Sequence, residues 1–392
     1  MAVNKTDIDM VIPLSVPNFS GNELKYVTEA IETEWVSTSG PYVDTFEQKI
    51  AGYVGAFGAV ACQNGTSGMH IALLINGVTK EQEVIVPTLT FIAAVNPVRY
   101  IGAEPVFMDC DSSLCMDPVK LREFCSKECR LADGDLVHNK TKKIIKCIVV
   151  VHVFGNMADM ESIMEIAEEY HLKVIEDATE AIGTYYMSGK YAGKYAGTIG
   201  GTGVYSFNGN KIITTGGGGM IVSNNGKLLE HAKHLTTQAK SDTLYYTHDE
   251  IGYNYRMTNL QAALGLAQLE ELEKFIEKKT WNFDQYQNKL SNIEGLELLQ
   301  IRQGIRGNHW FYALYCDERY GKTRDEIISY LNKNKISVRP IWGLIHEQKP
   351  YKNFIAYKIE EAEKYWTHVI NIPCSTNLTL EQINKVVWYL RY

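Results

Sequence analysis

The feature that most constrains the fold of this chain is a regular alternation of two kinds of segment between about residues 20 and 225. Short apolar runs, which predict strands, centre near Val60, Ile85, Phe107, Val150 and Ile175. Runs that are apolar throughout are typical of strands buried on both faces of a parallel sheet. The segments between them carry apolar residues at helical spacing, so the alternation predicts an α/β domain with a mostly parallel sheet.

The pattern changes after residue 257. Residues 258–290 form one long, charged stretch with an apolar face, which predicts a helix that leaves the large domain. Shorter strand-like and helix-like segments follow and indicate a smaller α+β domain. We therefore expect an N-terminal arm over residues 1–20, a large domain over 21–257 and a small domain over 258–392.

Composition excludes several classes of function. The chain has 392 residues and a formal net charge of -7, which argues against nonspecific binding of nucleic acid. No apolar stretch approaches the roughly 20 residues that span a bilayer. The first ten residues have no apolar core and therefore do not resemble a signal peptide. We expect a cytoplasmic protein without a membrane partner.

The eight cysteines do not indicate a disulfide framework or a metal site. The chain is long and lacks a signal peptide, which favours reduced thiols. Four of the cysteines cluster over residues 110–129, but their spacing matches no familiar zinc pattern. We interpret them as thiols on a helix and a connecting loop, and we expect no metal. The polar stretch 127–143 resembles a surface insertion.

Lys211 is the first candidate for chemistry. It lies in the loop SFNGNK between the apolar runs VYSF and MIVS and is followed by IITT and four glycines. A lysine held in such a loop loses hydration and is suited to form an imine with an aldehyde. Earlier in the chain, Asp177 ends the apolar run VIED. A strand-end aspartate and a loop lysine together suggest pyridoxal phosphate, with Asp177 against its ring nitrogen.

Three further segments fit this cofactor, and each has an ordinary structural alternative. Residues 64–68 (NGTSG) follow a strand and open a helix, which favours an anion site or simple helix capping. Phe91 follows another strand and could cover a pyridine ring or, taken alone, more simply belong to the core. Glu180 could face the ring hydroxyl or the substrate, or serve as the acid of a capping box.

Five motifs follow one another along the chain: NGTSGMHIAL, VPTLTFIAAVN, VIEDATEAIG, SFNGNKIITTGGGGMIVSNN and GYNYRMTNLQAALG. Together they resemble the DegT/DnrJ/StrS-type sugar aminotransferases, and the resemblance covers nearly the whole chain. It implies the type I fold of aspartate aminotransferase: a large domain with a mixed, mostly parallel sheet and a smaller C-terminal α+β domain. The segments ITTGGGGM and LTTQAK are typical of the 4-aminotransferases of bacillosamine- and legionaminic acid-type pathways.

The resemblance also implies roles for single residues. Lys211 would bind pyridoxal 5'-phosphate covalently and then carry the transferred proton. Asp177 would hold the pyridine nitrogen, and Phe91 would stack on the ring. Glu180 stands where the family often has glutamine. Family members that aminate C4 of the sugar usually carry Gln or Glu there, so this residue favours a C4 enzyme.

Further residues would hold the phosphate and the substrate. The resemblance implies phosphate contacts from Thr66, Ser67 and Ser206, and one from Asn254 of the neighbouring subunit. The active sites would therefore be shared within a homodimer. Residues 339–346 resemble the family's substrate loop, in which Trp342 and His346 would contact the sugar or the nucleotide. Residues 152–156 (HVFGN) match a family segment that we expect to serve packing.

The reaction implied by the resemblance is transamination. L-Glutamate would donate the amino group to a nucleotide-linked 4-keto-6-deoxy sugar, UDP-linked and N-acetylated by analogy. The product would be a 4-amino-4,6-dideoxy sugar nucleotide for polysaccharide biosynthesis. A sugar 3-aminotransferase or a dehydratase of the same family is the first alternative, but Lys211 and the lack of cluster-spaced cysteines favour amino transfer. A non-catalytic regulator that binds the cofactor is the second, which the acidic charge disfavours.

Overall fold

The computed structural model describes residues 11–242 and 244–391. Half of the predicted N-terminal arm, residues 1–10, lies outside the described residues. The remainder runs in extended form along the C-terminal region, where Ile12 forms a parallel bridge with Ile336. Within the described residues, no helix combines the length and the apolar character that a membrane span requires.

The strands form two main sheets and two short ribbons. In chain order they are β1 (Gly58–Cys62), β2 (Glu83–Pro87), β3 (Glu104–Met108), β4 (Cys129–Ala132), β5 (Asp135–His138), β6 (Ile144–Val151), β7 (Lys173–Asp177), β8 (Tyr185–Tyr186), β9 (Thr202–Ser206), β10 (Gly219–Ser223), β11 (Lys240–Asp242), β12 (Thr247–His248), β13 (Leu296–Leu298), β14 (Ile305–Arg306), β15 (Tyr312–Cys316), β16 (Arg339–Pro340), β17 (Ile355–Tyr357) and β18 (Val369–Ile372).

Helices alternate with these strands. In chain order they are α1 (Glu23–Glu32), α2 (Pro41–Val54), α3 (Gly65–Ile75), α4 (Asn96–Tyr100), α5 (Pro118–Glu128), α6 (Met160–Glu169), α7 (Gly226–Thr236), α8 (Asn259–Leu290), α9 (Arg324–Lys333), α10 (Glu361–His368) and α11 (Leu380–Arg391). The long predicted helix is α8, which begins at a capping box between Thr258 and Gln261.

The large sheet has the strand order β1-β10-β9-β7-β6-β2-β3-β17, with the β4–β5 hairpin added at β6. Neighbours from β9 to β17 are parallel, while β10 runs antiparallel to β1 and β9. The five strands predicted from apolar runs are β1, β2, β3, β6 and β7. Because β2, β7 and β9 are parallel, their carboxyl ends meet at one edge, where ligands of open α/β sheets bind.

The hydrophobic core has two parts that meet along α8. Phe275 and Ile276 pack into the core of the large sheet, and Phe283 and Tyr286 pack against the small sheet β13-β15-β18-β16. The core therefore changes within α8, after the predicted boundary at residue 257. The chain later returns to the large core, because β17 pairs with β3. We propose to keep the boundary at 257/258 as the start of α8, with residues 341–369 packed across it.

The cysteines and the polar stretch 127–143 are placed as follows. All eight cysteines are described, buried and unpaired. The polar stretch is a β-hairpin, β4–β5, which is joined to the sheet through β6. The last residue of β5, His138, is buried, and its Nδ1 lies 2.9 Å from Oε2 of Glu83. The stretch is thus part of the large sheet, with one face outside.

Candidate active site

A cavity of about 950 Å³ opens at the edge of the large sheet where β2, β7 and β9 end. Its first wall is built from residues that follow these strand ends and from the start of α3. Its second wall comes from the small sheet and the loops around it. The predicted site residues that line this cavity are Thr66, Phe91, Asp177, Glu180, Ser206, Lys211 and Trp342.

The start of α3 closes one end of the cavity. Asn64 caps the helix, since its side-chain oxygen accepts a hydrogen bond from the N–H of Ser67 at 2.8 Å. Gly65 permits a close approach, because a Cβ there would lie 2.9 Å from the Cβ of Ser206. A helix N-terminus beside the hydroxyls of Thr66 and Ser206 is a suitable place for an anion. This end fits the phosphate of pyridoxal phosphate.

Asp177 lies deeper in the cavity, at the end of β7. Its side chain is buried, and Oδ1 accepts a hydrogen bond from the N–H of Thr179 at 3.1 Å. Burial raises the pKa of Asp177, although the hydrogen bonds from Thr179 oppose this rise. Within the described part of the chain, no salt bridge is formed by Asp177. A buried carboxylate that lacks a cation fits the protonated nitrogen of a pyridine ring.

Lys211 extends into the same cavity from the loop after β9. Its Nζ lies 3.8 Å from Oε1 of Glu180 and 4.0 Å from the centroid of the Trp310 ring. Burial lowers the pKa of Lys211, while the negative charges of Glu180 and Asp177 oppose this effect. A lysine with a lowered pKa has more of its amine in the neutral, nucleophilic form.

Glu180 is held by an unusual backbone conformation. Its Oε2 accepts a hydrogen bond from the N–H of Phe154 at 2.7 Å. Phe154 has a φ of 55°, in the left-handed region that non-glycine residues rarely adopt. Burial raises the pKa of Glu180, whereas the charge of Lys211 and the Phe154 N–H oppose this rise. The strained turn therefore fixes the carboxylate beside Lys211.

A third carboxylate lies behind this layer and has a structural role. Glu176 is fully buried and accepts hydrogen bonds from the N–H groups of Gly197 and Ile199 at 2.8 and 2.7 Å. His152 Nε2 also lies 2.9 Å from Glu176, while His152 Nδ1 accepts from the N–H of Ala158 at 3.2 Å. Nε2 of His152 is therefore the protonated nitrogen. These bonds tie β6 to β7 behind Asp177.

Aromatic rings surround the mouth of the cavity. Phe91 is 54% exposed, and its ring centroid lies 6.4 Å from that of Trp342. Trp342 lies 4.7 Å from the ring of Phe154, which is buried. An exposed ring at this position has a free face for a planar ligand. The core interpretation of Phe91 is thus less favourable than a position on the cavity wall.

The second wall is polar. It includes Ser15 of the N-terminal segment, Ser337, Arg339 and Asn371. Nδ2 of Asn371 is buried and has no hydrogen-bond partner among the described residues. Gly343 also lies here. These hydroxyl, amide and guanidinium groups suit a polar, anionic ligand.

Three predicted site residues lie outside the cavity. Ser67 is buried near Nε2 of Gln63, at 3.4 Å, and Asn254 is exposed on the surface. His346 does not line the cavity, because its Nδ1 bonds Oγ1 of Thr88 at 2.6 Å. That bond holds the His346 side chain against Thr88. The predicted contact between His346 and a substrate in this cavity is therefore disfavoured.

Phe154, Asn308 and Trp310 are site residues that the sequence did not indicate. Asn308 is fully buried and donates to the carbonyls of Glu180 and Ile182, each at 2.9 Å. Its Oδ1 accepts from the N–H of Trp310 at 2.9 Å. The segment NHWF did contain one signal, an asparagine before a run of aromatic residues. Only tertiary contacts show that it belongs to the site.

Comparison with protein families gives one match over almost the whole chain. Residues 17–391 match the model described as the DegT/DnrJ/EryC1/StrS aminotransferase family. The chain is 36% identical over 379 residues to the GDP-perosamine synthase of Caulobacter vibrioides, with 96% of each chain covered. It is also 36% identical over 372 residues to the GDP-perosamine synthase of Escherichia coli O157:H7, with 95% of each covered.

A solved structure gives the same result at the level of the fold. The DegT DnrJ EryC1 StrS aminotransferase from Brucella abortus superposes with a TM-score of 0.85 at 25% sequence identity. The superposition covers 94% of each chain.

Proposed function

Because this chain belongs to the DegT/DnrJ/EryC1/StrS aminotransferase family, we propose that it transfers an amino group to C4 of a nucleotide-linked 4-keto-6-deoxy sugar. The family match confirms three predictions: the family, an aminotransferase activity and pyridoxal 5'-phosphate as the cofactor. The mixed, mostly parallel sheet and the Brucella abortus structure confirm the fold class. The sugar, its nucleotide and the amino donor belong to the proposal.

Each residue of the first wall has a role in this proposal. When bound, the cofactor supplies an electron-withdrawing ring that stabilises negative charge on carbon. Lys211 binds it covalently and afterwards moves the proton at Nζ as a general acid and base. Asp177 keeps the ring nitrogen protonated, and Phe91 covers the ring. Thr66 and Ser206, which line the cavity, would contact the phosphate, whereas Ser67 lies outside it.

In the proposed reaction, two substrates use one site in turn. L-Glutamate gives up its amino group and leaves as 2-oxoglutarate. The keto sugar then gains the amino group at C4 and leaves as a 4-amino-4,6-dideoxy sugar nucleotide. The resemblance favours C4, since family members that aminate C4 usually carry Gln or Glu at the position of Glu180, whose carboxylate lies beside Lys211. Ser337, Arg339 and Asn371 would face the nucleotide portion.

We propose UDP as the nucleotide and an N-acetyl group at C2. Support comes from the resemblance of ITTGGGGM and LTTQAK to enzymes of bacillosamine- and legionaminic acid-type pathways. The perosamine synthases above act on a GDP-linked sugar by name, so a GDP-linked substrate is the second candidate. The UDP-linked and the GDP-linked substrates would undergo the same reaction. They differ in the nucleotide that the second wall would hold.

A single observation carries the proposed function: Lys211 and Asp177 line one cavity whose far end is the start of α3, with Asp177 buried and the Lys211 side chain 12% exposed. The test is an assay of 2-oxoglutarate and amino sugar formation with UDP-, GDP- and dTDP-linked 4-keto-6-deoxy sugars. We expect stoichiometric formation of both products with the UDP-linked, N-acetylated sugar. Turnover of a 3-keto sugar instead, or release of a deoxygenated sugar without 2-oxoglutarate, would refute the proposal.

We further propose a homodimer in which Asn254 serves the cofactor phosphate of the partner subunit. Asn254 is exposed, and the segment that precedes it in sequence has four exposed large apolar side chains: Leu244, Tyr245, Tyr246 and Ile251. Exposed apolar side chains that are grouped in this way are typical of a surface that another chain covers. Mixed dimers of Lys211→Ala and Asn254→Ala chains test the proposal. One intact site should form in each mixed dimer, so activity should reappear. Mixed dimers without activity would contradict a shared site.

A further inference from the structure

The ring of Trp310 is in contact with the reactive amine of this cavity. Nζ of Lys211 lies 4.0 Å from the ring centroid, and Trp310 is only 3% exposed. An aromatic face attracts an ammonium group through its quadrupole, and the attraction is stronger where water is excluded. The same face has no such attraction for a neutral amine. Trp310 therefore acts on one protonation state of Lys211 and not on the other.

Four contacts hold the ring in place. The backbone N–H of Trp310 donates to Oδ1 of Asn308 at 2.9 Å, and its Nε1–H donates to the carbonyl of Asn210 at 2.7 Å. The ring stacks on Phe311 at 4.1 Å with an angle of 8°. The carbonyl of Trp310 accepts a hydrogen bond from Nζ of Lys279 at 2.9 Å. The backbone N–H and carbonyl, the Nε1 edge of the ring and one ring face are thus held by neighbours.

Lys279 is an uncommon anchor for such a residue. It lies in α8, is 2% exposed, and donates to the carbonyls of Trp310 and Cys374. The OH of Tyr312 donates back to the Lys279 carbonyl at 2.7 Å. Within the described residues, no acidic group pairs with it, and burial lowers the pKa of Lys279. A buried lysine is costly unless it is hydrogen-bonded, and the bonds that Lys279 donates fix the carbonyls of Trp310 and Cys374.

We propose that Trp310 is a further catalytic residue, whose ring stabilises Lys211 while Nζ carries the proton in transit, and that Lys279 is its positioning residue. This inference rests on the proposed role of Lys211. The Nζ lone pair takes the proton as the C–H bond at the α-carbon of the amino donor breaks, and the electron pair of that bond would be held by the electron-withdrawing ring of the bound cofactor. An N–H bond of the resulting ammonium breaks when the proton is delivered to the former aldehyde carbon of the cofactor, so the amine is restored and the electron pair forms the new C–H bond.

Other charged groups face Lys211 as well. Glu180 lies 3.8 Å from its Nζ, and Asp177 lines the same cavity from the end of β7. Arg339 lines the opposite wall. No hydrogen bond, ion pair or ring contact joins these groups to the Trp310 side chain within the described residues, so a change in the protonation of Lys211 would report the ring. Trp310→Leu removes the aromatic face, whereas Trp310→Phe keeps a smaller aromatic face and loses the Nε1–H bond to Asn210.

The first experiment measures the protonation of Lys211 directly. The full-length chain, freed of cofactor, is mixed with pyridoxal phosphate across a range of pH, and its covalent binding is followed by absorbance. Only the neutral amine reacts, so the midpoint of the pH profile reports the pKa of Lys211. We expect Trp310→Leu to lower this midpoint by about 0.5 to 1 pH unit and Trp310→Phe to lower it less. Lys279→Met should shift it in the same direction.

The second readout is the rate of the half-reaction with saturating L-glutamate. It should fall about tenfold in Trp310→Leu and less in Trp310→Phe. Phe283→Leu is a matched control, because it removes a buried ring that contacts His309 and Tyr312 and does not touch Lys211. Its pH midpoint should equal that of the unmodified chain.

Fluorinated tryptophan gives a third measurement that leaves the packing intact. Fluorine weakens the ring quadrupole, so biosynthetic replacement of the six tryptophans should lower the midpoint step by step with the number of fluorines. In the Trp310→Phe chain the same labelling should have no effect. The inference would be overturned by a pH midpoint that does not change with fluorination. It would also be overturned if Trp310→Leu and Trp310→Phe lowered the midpoint and the half-reaction rate equally. Failure of the unmodified chain to bind pyridoxal phosphate at any pH would instead overturn the proposed function.

Discussion

The two walls of the cavity differ in how firmly their side chains are held. On the first wall, Asp177 and Glu180 are buried and accept hydrogen bonds from backbone N–H groups. On the second wall, Arg339 is exposed, and Asn371 has a buried amide nitrogen without a partner in the described chain. The rigid wall fixes the chemistry, since catalysis needs fixed distances. Among the described residues, the second wall leaves the guanidinium of Arg339 and the amide nitrogen of Asn371 free to bind a ligand. We therefore expect it to set the specificity for the substrate.

The largest effect that this comparison predicts comes from Lys211→Ala. Removal of the amine should lower turnover by about 10⁴-fold or more, because both the covalent link and the proton carrier are lost. The visible absorption of the bound cofactor should shift to that of the free aldehyde. The exposed Lys194 provides a control, as Lys194→Ala should keep full activity. Undiminished turnover in Lys211→Ala would refute the assignment.

A smaller loss is expected for Asp177→Asn, which keeps the shape of the rigid wall and removes its charge. Charged hydrogen bonds contribute about 1.5–3 kcal/mol, so turnover should fall roughly 10- to 100-fold and cofactor binding should weaken. Steady-state kinetics and cofactor titration measure the two effects. Wild-type turnover in this variant would exclude an electron-withdrawing role that depends on Asp177.

Glu180→Gln should change the pH profile more than the maximum rate. The negative charge of Glu180 raises the pKa of Lys211, whose overall pKa is lowered by burial. Without that charge the pKa of Lys211 falls further, so the neutral amine persists to lower pH. The pH midpoint for covalent binding of pyridoxal phosphate should therefore move to lower pH. An upward or absent shift would show that Glu180 does not act on Lys211 through its charge.

The smallest effects are expected on the second wall and are best tested as a pair. Trp342→Leu removes a ring at the cavity mouth, so the KM for the sugar nucleotide should rise about three- to tenfold while the glutamate half-reaction is unchanged. His346→Gln should change KM less than twofold, because His346 bonds Thr88 outside the cavity. Equal KM effects in both variants would contradict the placement of His346.

The rigid wall was also the part that the sequence predicted best. Lys211 and Asp177 follow strands in local motifs, and a parallel sheet brings such strand ends together. Phe154 and Trp310 were missed for a different reason. The contribution of Phe154 is a backbone N–H in a left-handed turn, and that of Trp310 depends on Asn308 and Lys279, which are distant from Lys211 in sequence.

The second wall was predicted less well because the segment that carries Trp342 and His346 is a loop after β16. The sequence placed Trp342 and His346 together in a substrate loop, but a short helical turn, Ile345–Glu347, directs His346 to Thr88. Four positions separate the two residues, and nothing in the residue types indicates which one faces the cavity. The domain boundary at 257/258 stays a prediction, and α8 contributes side chains to both cores.

The pairing of β17 with β3 has a consequence for any attempt to divide this molecule. A fragment that stops at residue 257 would lack β17 and would leave the backbone groups of β3 unsatisfied along one side. Exposed strand edges of this kind recruit other chains. The C-terminal half is therefore tethered twice to the N-terminal half, once through α8 and once through β17, and its freedom to swing as a hinged lid is correspondingly small.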